Sequence, residues 1–163
     1  MRTLLFLDVD GTLLPFGAPG PYPVHEPAFP LHEPGHPLLT RVDPALGARL
    51  TSLGCALVWA TTWGEDANTV PAPWLGLPRL PLVDWPDPDD EEETGLHWKT
   101  RPLVSWAAVR PFVWVDDEIT EADRAWVAAH HRGRALLHRV DHQVGLTGRD
   151  FAVLEEWLGT GER

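Results

Sequence analysis

Two acids separated by one residue close an apolar run near the amino terminus, in Leu4-Leu-Phe-Leu-Asp8-Val-Asp10-Gly-Thr12. The run is long enough for a buried strand and too short for a helix. Side chains alternate along a strand, so Asp8 and Asp10 leave it on the same side. Gly11 then lets the backbone turn sharply or come close to a ligand. Like charges so near one another need a cation or a shared proton between them. A hard divalent cation such as Mg²⁺ takes oxygen ligands and is often held by one or two carboxylates together with a substrate phosphate. A surface turn of the Asp-x-Asp-Gly type without chemistry is the competing account, and the buried strand before it argues against that.

Three further places carry groups that such a centre needs. Pro111-Phe-Val-Trp-Val-Asp116-Asp117-Glu118 is a second apolar run that ends in paired acids. Two such ends in one small chain make a shared metal far more probable than either alone. Cys55-Ala-Leu-Val-Trp-Ala-Thr61-Thr62 ends in hydroxyl residues and is followed by Trp63-Gly64. Thr61 sits where the apolar run stops, with Thr62 the alternative within one residue. Lys99 is the sole lysine of the chain. Asp8, Asp10 and a phosphate cannot share a pocket without positive charge, and a lysine supplies it as a compact point charge. Arg101, two residues on, is its competitor.

Asp-Val-Asp-Gly-Thr-Leu after an apolar strand resembles the first motif of the haloacid dehalogenase (HAD) superfamily of phosphotransferases and phosphatases. The resemblance implies that Asp8 is the nucleophile and Asp10 the general acid and base. It implies that Thr61 or Thr62, with nearby backbone amides, holds a phosphate oxygen, and that Lys99 points into the site from near a helix start. Asp116-Asp117 is similar to the fourth motif in its double-Asp form. Asp116 is then a metal ligand, and Asp117 either ligates through water or orients Lys99. The implied cofactor is Mg²⁺, held by Asp8, the backbone carbonyl of Asp10, and Asp116. Relatives that break carbon–halogen bonds lack an acid at the second Asp position and ion pumps carry Thr there, so Asp10 points to phosphate ester hydrolysis or phosphoryl transfer. Trp-Ala-Thr-Thr-Trp and Gly-Leu-Thr resemble stretches of small bacterial members, some joined to RNA-repair modules.

The elements that must position these residues alternate. After the first strand, residues 15–42 are rich in proline, which forbids a continuous helix or a central strand. They are expected to form a flap over the site mouth, with His25, His32 and His36 exposed or lining the entrance. A helix is expected over Asp43–Leu53, capped by Asp43 with Pro44 at its first position and Gly54 at its end. A short helix over Glu65–Asn68 follows the Thr61 strand, and Trp63 either lines the pocket or packs in the core. A third strand is expected at Leu80–Val83. The acidic run Asp87–Glu93 reads as a solvated segment. A helix beginning or kinking at Pro102 carries Leu103, Val104 and Trp106. Helices over Thr120–His131 and Thr147–Leu158 enclose a fifth strand, Ala135–Val140, with His138 and His142 near its end as candidate substrate contacts. This alternation predicts a Rossmann-like α/β/α fold around a mostly parallel sheet, whose ligands bind at the carboxyl ends of the strands. With the flap too short for a large cap domain, residues 1–163 are expected to form one domain.

Composition narrows the partners. The formal net charge is −11, from 13 basic and 24 acidic residues, which disfavours electrostatic capture of nucleic acid, while a short flap in place of a large cap favours a small phosphorylated substrate. The one cysteine, Cys55, forbids an internal disulfide and fits a reducing, cytoplasmic setting. No apolar run approaches the roughly 20 residues of a membrane span, and Asp8 and Asp10 break any leader-like start.

Overall fold

The computed structural model describes residues 2–31, 35–86 and 95–161. Four strands, β1 (Leu4–Leu7), β2 (Ala56–Trp59), β3 (Phe112–Asp116) and β4 (Ala135–Arg139), form one parallel sheet in the order β2-β1-β3-β4. Six helices join or flank them: α1 (Ala45–Ser52), α2 (Asp66–Thr69), α3 (Pro71–Leu75), α4 (Thr100–Ala107), α5 (Glu121–His130) and α6 (Gly148–Thr160). Parallel neighbours require crossovers, and the crossover helices bury both faces of the sheet. That is why β1 and β3 read as unbroken apolar runs. Leu5, Leu7, Val113 and Val115 pack on the side of α1, α3 and α6. Leu4, Phe6, Phe112 and Trp114 pack on the side of α4 and α5. Among the described residues, no helix is long and apolar enough to cross a membrane.

The expected strand at Leu80–Val83 shrinks to an isolated parallel bridge between Leu82 and Trp59. Trp59 donates its N–H to the Pro81 carbonyl at 2.9 Å, and Val83 donates to the Trp59 carbonyl at 3.0 Å. Pro81 has no N–H to extend the ladder, so the segment remains a fringe of the sheet. Asn68 fastens it there: its Oδ1 accepts from the Trp59 indole at 2.9 Å and from Leu80 N at 2.8 Å, and its Nδ2 donates to the Leu80 carbonyl at 2.9 Å. The acidic run at 87–93 lies outside the described residues.

Helix signals land where the residues indicate. Asp43 accepts from Ala45 N at 2.9 Å at the start of α1, and Gly54 follows its end in the left-handed region at φ 76°. Thr120 and Asp123 form a reciprocal capping box on α5, and Thr147 and Asp150 form another on α6.

Among its described residues, the flap holds a 3-10 helix at Pro37–Arg41 and no strand or α-helix. Its fastenings reach the loop after β4 and the helix α3. Phe16 N donates to the His142 carbonyl at 2.9 Å, Tyr22 Oη to the Gln143 carbonyl at 3.0 Å, and Ala28 N to the Trp74 carbonyl at 3.0 Å. His25 lines a cavity of about 350 Å³ there with Tyr22 and Arg41. His32 lies outside the described residues.

Candidate active site

Strand register builds the centre. Leu7 lies opposite both Trp59 and Val115, so the residues just beyond β1, β2 and β3 emerge side by side. Asp8 N donates to the Val115 carbonyl at 3.3 Å and Ala60 N to the Leu7 carbonyl at 2.8 Å, which carries the pairing to the strand ends. Alternation puts Asp8 and Asp116 on the face of Phe6 and Trp114, the side covered by α4. Lys99 is the residue from which α4 starts. Its Nζ donates to Asp8 Oδ1 at 3.0 Å and to Asp116 Oδ2 at 2.8 Å. All three side chains are buried, Lys99 with 4% of its surface exposed. Thr12 Oγ1 donates to the other Asp8 oxygen at 3.4 Å. Arg101 instead places its guanidinium over the Trp126 ring at 5.8 Å.

Gly11 makes the expected sharp turn and also comes close to the side chain of Asp117. Its φ is +81°, and a Cβ built there would lie 2.4 Å from Asp117 Oδ2. Any side chain at position 11 would displace Asp117. Asp116 Oδ1 accepts from Glu118 N at 3.0 Å, and the Asp117 carbonyl accepts from Arg139 Nε at 3.1 Å.

Oxygens of Asp8, Asp116 and Asp117 lie within 4.8 Å of one another. Three buried carboxylates face a single ammonium. Burial pushes the Asp8 carboxyl up to about 8, with Asp116 and Asp117 adding to it against the pull of Lys99. Burial, together with the hydrogen bond and charge of Asp116, pushes Asp117 up to about 6. Burial works against the Lys99 ammonium, but Asp8 and Asp116 outweigh it and hold its pKa above the usual lysine value. The donor set is all oxygen and short of positive charge, which fits a hard divalent cation such as Mg²⁺.

That fit has a pH signature. A carboxyl raised in the fold stabilises the protein below its ordinary pKa of 3.8, and this contribution is lost as pH rises toward about 8. A bound cation must displace the same proton. Mg²⁺ affinity is therefore expected to rise between about pH 6 and pH 8, with proton release on binding. Titration calorimetry in buffers of different ionisation enthalpy checks it. Constant affinity without proton release would mean that the acids are already ionised in the metal-free protein.

The remaining candidates divide. The Asp10 side chain is exposed and stands outside the group of three acids. Its Oδ2 accepts from the Trp63 indole Nε1 at 3.1 Å. Thr61 is buried, and its Oγ1 accepts from Trp63 N at 3.2 Å, whereas Thr62 is exposed. His138 holds Asp150 at 2.7 Å, within the start of α6, and the His142 ring lies 4.9 Å from Phe16 in the flap.

Of the residues that support this centre, sequence reasoning named Trp63 as a pocket or core residue and did not find Trp85 or the role of Asp123. Trp63 bridges Asp10 and Thr61. Trp85 donates its indole N–H to the Thr61 carbonyl at 3.0 Å. Asp123, buried completely, does more than cap α5. Its Oδ1 accepts from His97 N at 2.8 Å and from Thr100 Oγ1 at 2.7 Å, which anchors the turn that delivers Lys99. Burial opposes the Asp123 carboxylate, yet these hydrogen bonds hold its pKa below the ordinary value. Its three-residue spacing from Thr120 is a visible signal, but nothing local marks the contacts to His97 and Thr100.

No curated protein and no solved structure matches the chain. The family model described as the HAD domain in Swiss Army Knife RNA repair proteins matches residues 4–151, from the first residue of β1 into α6. That match covers nearly the whole chain, and the chain belongs to this family of HAD domains.

Proposed function

We propose that the protein is a Mg²⁺-dependent phosphatase that hydrolyses a phosphomonoester through an aspartyl-phosphate on Asp8. Membership in the HAD family supports phosphatase-type hydrolysis in general. The observation that carries the finer reading is the buried Lys99 held between Asp8 and Asp116 with Asp117 beside them. Such a charge-deficient centre is built for a cation and a phosphate.

Asp8, Asp116 and the Asp10 carbonyl would hold Mg²⁺, with Asp117 ligating through water or orienting Lys99. When bound, the ion neutralises phosphate charge, so that an anionic nucleophile can approach. Lys99 shares that task from the opposite helix, and the Thr61 hydroxyl, with Thr62 and the backbone amides after it, holds a phosphate oxygen. Asp8 attacks phosphorus in line; the new Asp8–phosphorus bond forms as the ester oxygen leaves. Asp10 gives that oxygen its proton. Asp10 then takes a proton from the water that attacks phosphorus, and the Asp8 carboxylate is released.

A second reading of the substrate comes from the family description, which speaks of RNA repair and so favours a phosphorylated nucleic-acid end. The charge of −11 counts against it, and a short flap in place of a large cap favours a small ester. Of the arginines that could draw nucleic acid to the mouth, Arg79 pairs with Glu65 and Arg110 donates to the Arg2 carbonyl, whereas Arg139 donates to the Asp117 carbonyl. A non-catalytic domain that binds phosphorylated ligands would not need both Asp8 and Asp10. Phosphate release with Mg²⁺ and with EDTA, on an aryl phosphate, sugar phosphates, nucleotides and 3′- or 5′-phosphorylated oligonucleotides, separates the three. Turnover that requires Mg²⁺ is expected. Ligand binding without turnover on any ester would leave the scaffold reading.

A further inference from the structure

We propose that Trp63 is the positioning residue for the proton-transfer step, holding Asp10 in place through its indole N–H. The inference rests on the phosphatase reading of Asp8 and Asp10. Asp10 stands at the surface end of its loop, outside the group formed by Asp8, Asp116 and Asp117. An exposed carboxylate on a loop has many rotamers, and proton transfer needs one. Trp63 restricts it through the indole and is itself tied to Thr61. Its indole Nε1 donates to Asp10 Oδ2 at 3.1 Å, and its backbone N–H donates to Thr61 Oγ1 at 3.2 Å. Trp63 thus joins the group that handles the leaving oxygen to the group placed at the phosphate.

The indole supports the chemistry in one direction. It can only donate, so it occupies Oδ2 as an acceptor and leaves Oδ1 to carry the mobile proton. In the first step that proton passes from Asp10 Oδ1 to the leaving oxygen while the phosphorus–oxygen bond breaks and the Asp8–phosphorus bond forms. The ring is itself backed by the flap: His36 meets it edge-on, with centroids 5.6 Å apart. Gly64, at φ +58°, turns the chain away directly after Trp63.

Leaving groups read this role out. A dinitrophenolate departs without a proton, whereas a simple alkoxide does not. In Trp63→Phe, the ratio of kcat/KM on an alkyl phosphate to that on dinitrophenyl phosphate is expected to fall about tenfold or more. In an Asp10→Asn background the same change should leave that ratio where it was, because the group being positioned is gone. Trp63→His keeps a ring N–H and should hold the ratio within about threefold of wild type. Equal losses on both esters in Trp63→Phe would overturn the proposal, as would an unchanged ratio. So would a His variant no better than Phe. Asp8→Asn separates the levels: if it keeps turnover, the phosphatase reading falls, and if it is inactive while Trp63→Phe keeps the ratio, only the role of Trp63 falls.

Discussion

Asp8→Asn is expected to lower kcat for phosphate ester hydrolysis on the order of 10⁴-fold while leaving the metal-free fold at least as stable as wild type at pH 8. The activity loss follows from removing the atom that forms the covalent bond to phosphorus. The stability expectation follows from the electrostatics of the centre. Burial and the neighbouring Asp116 and Asp117 raise the Asp8 carboxyl to about 8, so ionising it costs stability throughout the neutral range. An amide of the same shape removes that cost, and Lys99 keeps Asp116 at 2.8 Å as its partner. A purely structural residue in so buried a position would show the opposite pattern, with activity lost because the fold is lost. Steady-state turnover and thermal melting on one preparation distinguish the two. Rapid quenching of the wild type should trap a protein heavier by one phosphoryl group, which hydroxylamine removes and Asp8→Asn never forms. Equal turnover in variant and wild type would remove the nucleophile assignment.

The centre was legible in the sequence to the extent that it is written in strand ends. β1 and β3 are covered on both faces, so each reads as an apolar run, and an acid that interrupts such a run must lie at its end. Asp8, Asp116 and Asp117 come together beyond the carboxyl ends of the two central strands, where such acids are expected. Leu80–Val83 was over-read because an apolar stretch signals burial and not ladder hydrogen bonds. The missing N–H of Pro81 limits it to a bridge. Proline density predicts no continuous helix or central strand in the flap, and its described residues hold only the short 3-10 helix at Pro37–Arg41, but it does not show where the flap is fastened. That depends on contacts such as Tyr22 with Gln143, 121 residues apart. The grip of Trp63 on Asp10 spans 53 residues and that of Asp123 on His97 spans 26. Such contacts depend on where crossovers bring loops together and on rotamers chosen by packing, neither of which leaves a periodic trace.

Lys99→Met is expected to cost about 3–5 kcal/mol of stability in the metal-free protein at neutral pH, the range for removing one partner of a buried ion pair. Methionine fills much of the same volume, so the loss reports charge rather than packing. Lys99 is the cation between Asp8 and Asp116, at 3.0 and 2.8 Å, and as the chain's sole lysine and 4% exposed it is a nearly buried charge that no other lysine can replace. Without it the acids can recover only by binding protons. Lys99 holds the Asp8 carboxyl below the still higher value that burial alone would give, so without it the proton is bound at higher pH, and the deficit should be greatest at alkaline pH and shrink as pH falls toward about 8, the reverse of ordinary acid denaturation. Mg²⁺ should restore part of the stability, since a divalent ion answers the same excess of negative charge. It should not restore turnover, which is expected to stay at least about 10²-fold below wild type, because the lysine also faces the phosphate. Urea unfolding at several pH values, with and without Mg²⁺, measures the first part, and ester hydrolysis measures the second. A variant that unfolds with wild type across that range would mean that Asp8 and Asp116 do not depend on Lys99. The centre would then be an ordinary cluster of surface acids, and the cation it has been argued to need would lose its physical reason.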